Sequence, residues 1–170
     1  LSPTGGLTTT VTVTNPVGVV DRRAIPRVTK AGTPSNSLIP LDTVDFTVEL
    51  SNADVAHLAL EDPVIGDLLP VQYVYITGTA QFAAGASASG APTPTIQVLQ
   101  NYSNTGRTLL RWSWPSYDLA RGAKLVVTYR VQIADNTAPG NYVNAAALVG
   151  WTGPLTATNI LLCSGADNYT

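Results

Sequence analysis

Residues 124–134 read KLVVTYRVQIA, and residues 43–50 read TVDFTVEL. In both stretches apolar and polar residues alternate with a period of two, which is the pattern of a β-strand with one buried face. The side chains predicted to face the core are Val44, Phe46, Val48 and Leu50 in the earlier stretch and Leu125, Val127, Tyr129, Val131 and Ile133 in the later one. Both stretches therefore predict strands of an all-β protein.

Similar short segments, rich in β-branched residues and separated by Gly, Pro and Asn, recur along the chain, whereas helical periodicity is absent. The other predicted strands cover residues 8–14, 27–30, 56–60, 71–82, 95–102, 107–114, 142–151 and 156–163. This pattern predicts an immunoglobulin-like antiparallel β-sandwich with extra terminal strands. We expect an N-terminal extension over 1–27, the sandwich over 28–151, and a C-terminal strand and tail over 152–170.

The composition argues for a neutral extracellular surface. Only 12% of the residues are charged, and 9 Lys and Arg face 11 Asp and Glu, so no basic field exists for nucleic acid or an anionic membrane. No apolar stretch is long enough for membrane insertion. Because the chain opens at Leu1 and contains no Met, we expect a secreted, processed polypeptide at the cell surface.

The residues offer little for catalysis, and we expect no enzyme and no cofactor. His57 is the only histidine, and it lies on the strand face opposite Leu58 and Leu60, which predicts a solvated side chain. No nucleophile motif accompanies it. Cys163 is the only cysteine, so it cannot form an intrachain disulfide, and its apolar neighbours predict a buried thiol.

Metal and sugar sites are also not favoured. One histidine and one cysteine are too few for zinc, and the acids Asp54, Glu61, Asp62 and Asp67 match no calcium-binding loop. Trp112, Trp114 and Trp151 would suit a carbohydrate-binding module, but Leu110, Trp112 and Trp114 share one strand face, which favours core packing.

Between about residues 28 and 150 the order of features resembles the domain-of-unknown-function-11 family, an immunoglobulin-like repeat of prokaryotic surface proteins. The segments that carry the resemblance are Thr43 to Asn52, Asp67 to Pro70, Trp112 with the turn Ala120 to Lys124, and Gly140 to Ala146. The resemblance implies an extracellular structural role. The terminal segments before and after this window have no counterpart in it.

The resemblance also implies an intramolecular isopeptide bond, because related surface modules join a lysine of the first strand to an asparagine of the last. Lys30 and Asn144 occupy the matching places in this chain. Such a bond needs a deprotonated amine and a nearby protonated carboxyl. Asp62 shares strand parity with Leu58 and Leu60, so we expect it to supply that carboxyl. The alternative is a solvated Lys30 and an Asn144 in a turn or at an edge.

The N-terminal segment 7–14 is uncharged and strongly β-prone, with Leu7, Thr9, Val11 and Val13 on one face. Such a strand either completes its own sandwich or is donated to a neighbouring copy, as in donor-strand complementation. A contact of that kind is heterologous and propagates as a fibre.

Our leading hypothesis is thus a secreted subunit of a filament or surface layer that assembles with copies of itself through this pilus-like donor strand. The alternatives are a module of a cell-surface adhesin or stalk with the isopeptide bond, and a carbohydrate-binding module.

Overall fold

The computed structural model describes residues 23–33, 38–85, 88, 90–153 and, for the backbone only, 163–169. The predicted donor strand with Leu7, Thr9, Val11 and Val13 lies outside these residues, as does the side chain of Cys163. The strands are β1 Pro26–Thr33, β2 Thr43–Asn52, β3 Leu60–Leu69, β4 Tyr73–Tyr75, β5 Gln81–Ala84, β6 Thr95–Leu99, β7 Thr108–Ser113, β8 Asp118–Leu119, β9 Lys124–Ile133, β10 Gly140–Thr152 and β11 Cys163–Tyr169.

The described strands form two antiparallel sheets. The first sheet has the order β1-β2-β9, with β4 and β5 both pairing with the far side of β9. The second has the order β11-β10-β3-β7-β6, with β8 pairing with β3. The predicted all-β antiparallel sandwich is therefore confirmed. In the described part of the chain the single helix is a short 3-10 turn, Tyr102–Asn104, and no helix there is long and apolar enough to cross a membrane.

Alternation along β2 and β9 places the core as the sequence predicts. All nine side chains assigned to the inner face are buried, from Val44 to Leu50 in β2 and from Leu125 to Ile133 in β9. Leu110 and Trp112 of β7 and Trp114 just after it are buried against them from the second sheet. The Trp112 and Tyr129 rings meet across the two sheets with centroids 5.4 Å apart. Aromatic contacts of this kind join the two layers.

The sequence did not predict β3, and its register explains why. Asp62 has a φ of 47°, the left-handed region that interrupts regular strand alternation. Leu60 is buried before this residue, but after it the buried side chains are Ile65, Asp67 and Leu69. The parity of the inward positions thus changes from even to odd at Asp62.

Two strands bring chain segments far apart in sequence to one region of the core. β1 lies at the edge of the described first sheet and pairs with β2, with Lys30 opposite Val48. β10 pairs with β3, with Ala146 opposite Asp67. Asn144 lies two residues before Ala146 in β10 and is on the same, buried side of the strand.

Candidate functional site

An ion pair lies inside the sandwich. Lys30 Nζ donates hydrogen bonds to Asp67 Oδ1 at 2.8 Å and to Oδ2 at 2.7 Å. The exposed fractions of the two side chains are 1% and 0%. Lys30 shares the inward face of β1 with Val28, whereas Asp67 comes from the opposite sheet. Burying a charge costs several kcal/mol, so only a close partner makes either ionised group tolerable here.

Aromatic rings surround this pair. The Tyr129 hydroxyl donates a hydrogen bond of 2.6 Å to Asp67 Oδ2. Lys30 Nζ lies 4.3 Å from the ring centroid of Phe46. Phe46 and Tyr129 pack against each other with centroids 5.5 Å apart. The rings exclude water, which lowers the local dielectric and strengthens each polar contact.

Asn144 is the third polar group of the site. Its side chain is buried, and neither Nδ2 nor Oδ1 has a hydrogen-bond partner among the described residues. A buried amide without partners costs about 1–3 kcal/mol for each unpaired group. Since Ala146 lies opposite Asp67, Asn144 is the diagonal neighbour of Asp67 on the inner face of the sheet, within reach of a side chain.

Burial shifts the pKa of the acid in this site. It raises the pKa of Asp67 above the ordinary carboxyl value, although the Lys30 ammonium, the Tyr129 hydroxyl and the Arg107 guanidinium act in the opposite direction. The same burial penalises the charged form of a lysine. Transfer of a proton from Lys30 to Asp67 within their contact therefore costs less here than it would in water.

The three groups together suit one type of reaction. A neutral amine is a nucleophile, the carbonyl carbon of an asparagine side chain is an electrophile, and a protonated carboxyl polarises that carbonyl. In the described part of the chain no three His, Cys, Asp or Glu side chains gather in a way that could hold a metal ion.

The structure brings Lys30 and Asn144 into the same part of the core, but the predicted acid needs correction. Asp62 is half-buried and accepts hydrogen bonds from the Ser116 backbone N–H at 2.5 Å and the Thr152 hydroxyl at 2.9 Å. Asp62 does not face the core as its shared parity with Leu60 predicts, because its left-handed backbone ends the alternation that includes Leu60. Asp67 is the carboxylate beside Lys30.

A signal for Asp67 is present in the sequence. Residues 64–69 read VIGDLL, a single acid inside an apolar run. A charged residue at such a position is either paired or functional, because an unpaired buried charge is too costly. The alternation of Ile65, Asp67 and Leu69 would have placed all three on one face.

Two further predictions, for His57 and for the tryptophans, concern described residues outside this site. His57 is exposed, as predicted. Trp112 and Trp114 have exposed fractions of 1% and 0%, which agrees with core packing and leaves them unable to form a sugar-binding platform. Trp151 is exposed.

Comparisons with solved structures show a similar fold in pilins. The major pilin SpaA of Corynebacterium diphtheriae, described as having a modular assembly with stabilising isopeptide bonds, is 16% identical with a TM-score of 0.54 over 84% of this chain and 36% of that one. A 35 kDa C-terminal fragment of a Streptococcus agalactiae major pilin is 12% identical with a TM-score of 0.54, over 82% and 53% of the two chains. The RrgB pilus backbone of Streptococcus pneumoniae is 11% identical with a TM-score of 0.50, over 72% and 51%.

These identities establish the fold alone, and this chain spans between about a third and a half of these three pilin chains. No protein-family model matches the sequence, and no curated protein matches it either. Membership of the domain-of-unknown-function-11 family therefore remains a resemblance, and the class defined by fold is that of β-sandwich domains such as those of pilins.

Proposed function

We propose that this chain is an extracellular structural module of a cell-surface filament or stalk, strengthened by an isopeptide bond between Lys30 Nζ and Asn144 Cγ. The observation that carries the proposal is the set of Lys30, Asp67 and Asn144 side chains, all buried in one region of an apolar core. Three such groups destabilise a domain unless they react or pair completely. A covalent bond removes the amine charge and uses the unpaired amide.

The reaction needs only groups that the chain contains. Lys30 passes a proton to Asp67, and the neutral Nζ attacks Cγ of Asn144. Asp67 lends its proton to Asn144 Oδ1 in the tetrahedral intermediate. The Cγ–Nδ2 bond then breaks as Nδ2 takes a second proton from Lys30 Nζ and leaves as ammonia. Oδ1 returns its proton to Asp67, and the ammonia finally takes this proton from Asp67. The products are an amide, an ammonium ion and the Asp67 carboxylate, with no oxidant or reductant consumed.

The position of the bond suits a mechanical role. Lys30 lies in β1 of the first sheet and Asn144 in β10 of the second, so the bond would join the two layers of the sandwich. Tension between β1 and β10 would be carried by this covalent bond and not only by the hydrogen bonds between strands. The fold likeness to pilins, and the isopeptide bonds described for SpaA, support the proposal by analogy.

Intact mass of the folded full chain tests the bond. We expect the mass to be lower than the sequence mass by one ammonia, and proteolysis to give one branched peptide that contains both Lys30 and Asn144. Asn144→Ala should restore the mass expected from its sequence, whereas Asn141→Ala, at an exposed position of the same strand, should still lose ammonia. An unshifted wild-type mass with two separate peptides would exclude the bond.

For assembly, we retain donation of the strand with Leu7, Thr9, Val11 and Val13 to a neighbouring copy as a second proposal. It is supported by β6, which within the described chain pairs with β7 alone, and whose five residues are exposed and uncharged. An uncharged edge of this kind accepts a strand from another chain readily.

Deletion of residues 1–14 tests donation by electron microscopy of concentrated protein. Folded monomers that no longer form fibres would support it, and unchanged fibres would contradict it. Gln97→Glu on β6 is the matched test of the acceptor, because Arg111 lies opposite and tolerates the new charge in the folded monomer. Strand donation to β6 predicts weaker assembly of this variant.

A further inference from the structure

The two carboxylate oxygens of Asp67 accept different numbers of hydrogen bonds. Oδ2 accepts two hydrogen bonds, from Lys30 Nζ at 2.7 Å and from the Tyr129 hydroxyl at 2.6 Å, whereas Oδ1 accepts one in the described residues, from Lys30 Nζ at 2.8 Å. A carboxylate oxygen accepts about two hydrogen bonds. Oδ2 is therefore saturated, and Oδ1 retains capacity for one more partner.

The side-chain amide of Asn144 is also able to form further hydrogen bonds. Its amide is buried, unpartnered among the described residues and diagonal to Asp67 on the same sheet face. A proton moved from Lys30 to Oδ1 would be in position to bond the Asn144 carbonyl. A proton on Oδ2 would be shared with the phenol instead.

We propose that Tyr129 is a positioning residue for isopeptide formation, holding Oδ2 of Asp67 so that Oδ1 carries the proton between Lys30 and Asn144. The inference rests on the proposed function, since it presumes the Lys30 to Asn144 bond. Tyr129 itself contacts neither reacting carbon nor leaving group in this scheme. Tyr129 is buried in β9, and its ring packs against both Phe46 and Trp112, which restricts the position of the hydroxyl.

The proposal has a pH signature. The charged and titratable groups that act on Asp67 are Lys30 from β1, Tyr129 from β9 and Arg107 from the segment before β7, while β2 and β10 contribute Phe46 and Asn144, which do not titrate. As the pH falls through the pKa of Asp67, the carboxyl is already protonated and cannot accept the Lys30 proton, so bond formation slows. Loss of the Tyr129 hydroxyl removes a donor to the carboxylate, which raises this pKa. The acid limb of the rate profile should therefore move to higher pH.

The test follows bond formation in the full chain, isolated unfolded in guanidinium chloride and refolded by dilution at a series of pH values, with the loss of ammonia timed by mass spectrometry. For Tyr129→Phe we expect bond formation to be about tenfold slower at neutral pH, and the acid limb of the rate profile to move upward by about one pH unit. A shift of this size corresponds to the loss of one hydrogen bond to a charged group. Tyr75→Phe is the matched control, because its ring contacts Tyr129 at a centroid distance of 6.2 Å.

The outcomes are distinguishable. A Tyr129→Phe rate equal to or above that of wild type would overturn the inference, and so would a slowdown by the same factor at every pH, which indicates a merely structural role. Circular dichroism in the aromatic region, recorded on each refolded variant, establishes that the rates compare folded chains. If wild type itself loses no ammonia, the proposed function fails before Tyr129 is tested.

Discussion

Lys30 and Asp67 belong to different sheets and are 37 positions apart in the chain, yet Lys30 Nζ lies 2.7 Å from Asp67 Oδ2 in the core. This contact exists only when β1 and β3 have both been placed on the sandwich. Any chemistry at Lys30 is therefore coupled to folding, because in the unfolded chain its amine is solvated and charged.

Asp67 and Asp62 should differ in their effect on bond formation. Asp67→Asn removes the carboxyl that takes the Lys30 proton, so we expect the folded variant to retain its full sequence mass. Asp62→Asn alters an acid that bonds Ser116 and Thr152 instead, so ammonia should still be lost. Intact mass of both variants checks this, and ammonia loss that depends on Asp62 rather than Asp67 would refute the assignment.

Asn144→Ala should lower the free energy of unfolding. The bond from Lys30 to Asn144 would close a loop of roughly 110 residues, and a cross-link of that span stabilises by about 4–5 kcal/mol through the entropy of the unfolded chain. Guanidinium unfolding followed by tryptophan fluorescence measures the difference, with Asn141→Ala as control. Equal unfolding midpoints for the three proteins would contradict a covalent link.

When the protein is unfolded by force, the same cross-link should shorten the extended length of the chain. When the chain is pulled from its ends, the residues between the two bonded side chains cannot extend. The unfolded chain should therefore be shorter by roughly 400 Å. Single-molecule force spectroscopy of Asn144→Ala should recover this length, and the wild-type chain should not. A wild-type trace with full extension would be incompatible with the bond.

The exposed pair of Asp45 and Arg130 predicts a separate pH effect. The Arg130 guanidinium donates two hydrogen bonds of 2.6 Å and 2.8 Å to Asp45 and lowers the pKa of that carboxyl below its ordinary 3.8. Because folding lowers the pKa of Asp45, the ionised carboxylate stabilises the folded state at pH values above 3.8. This stabilisation disappears as the pH falls through the lowered pKa of Asp45.

Asp45→Asn should accordingly be slightly less stable than wild type at neutral pH, with the difference vanishing in strong acid. Both side chains are about half exposed, so added salt should shrink the effect. Urea unfolding at several pH and salt values measures it. A difference that grows in acid would have the opposite sign to this prediction.

The alternating pattern of β2 and β9 was sufficient to predict their faces, because each is a regular strand whose side-chain period is a property of the local backbone. Lys30 and Asn144 were predicted through a family resemblance, since neither residue has a local pattern that reveals a core position. The strand β3 and its acid were missed. Its regular alternation starts only after the left-handed Asp62, and no local rule specifies how the parity continues beyond such a residue.

The sequence by itself determined that the chain is an all-β sandwich, which inner-face residues of β2 and β9 form its core, and that its surface carries little charge. Only the tertiary structure decided that Asp67 rather than Asp62 lies beside Lys30, and that Tyr129 holds one of its oxygens. The physical reason is the range of the interactions involved. Strand periodicity acts between residues two apart, whereas the polar cluster joins β1, β3, β9 and β10 across two sheets, so its members are neighbours only in the folded protein.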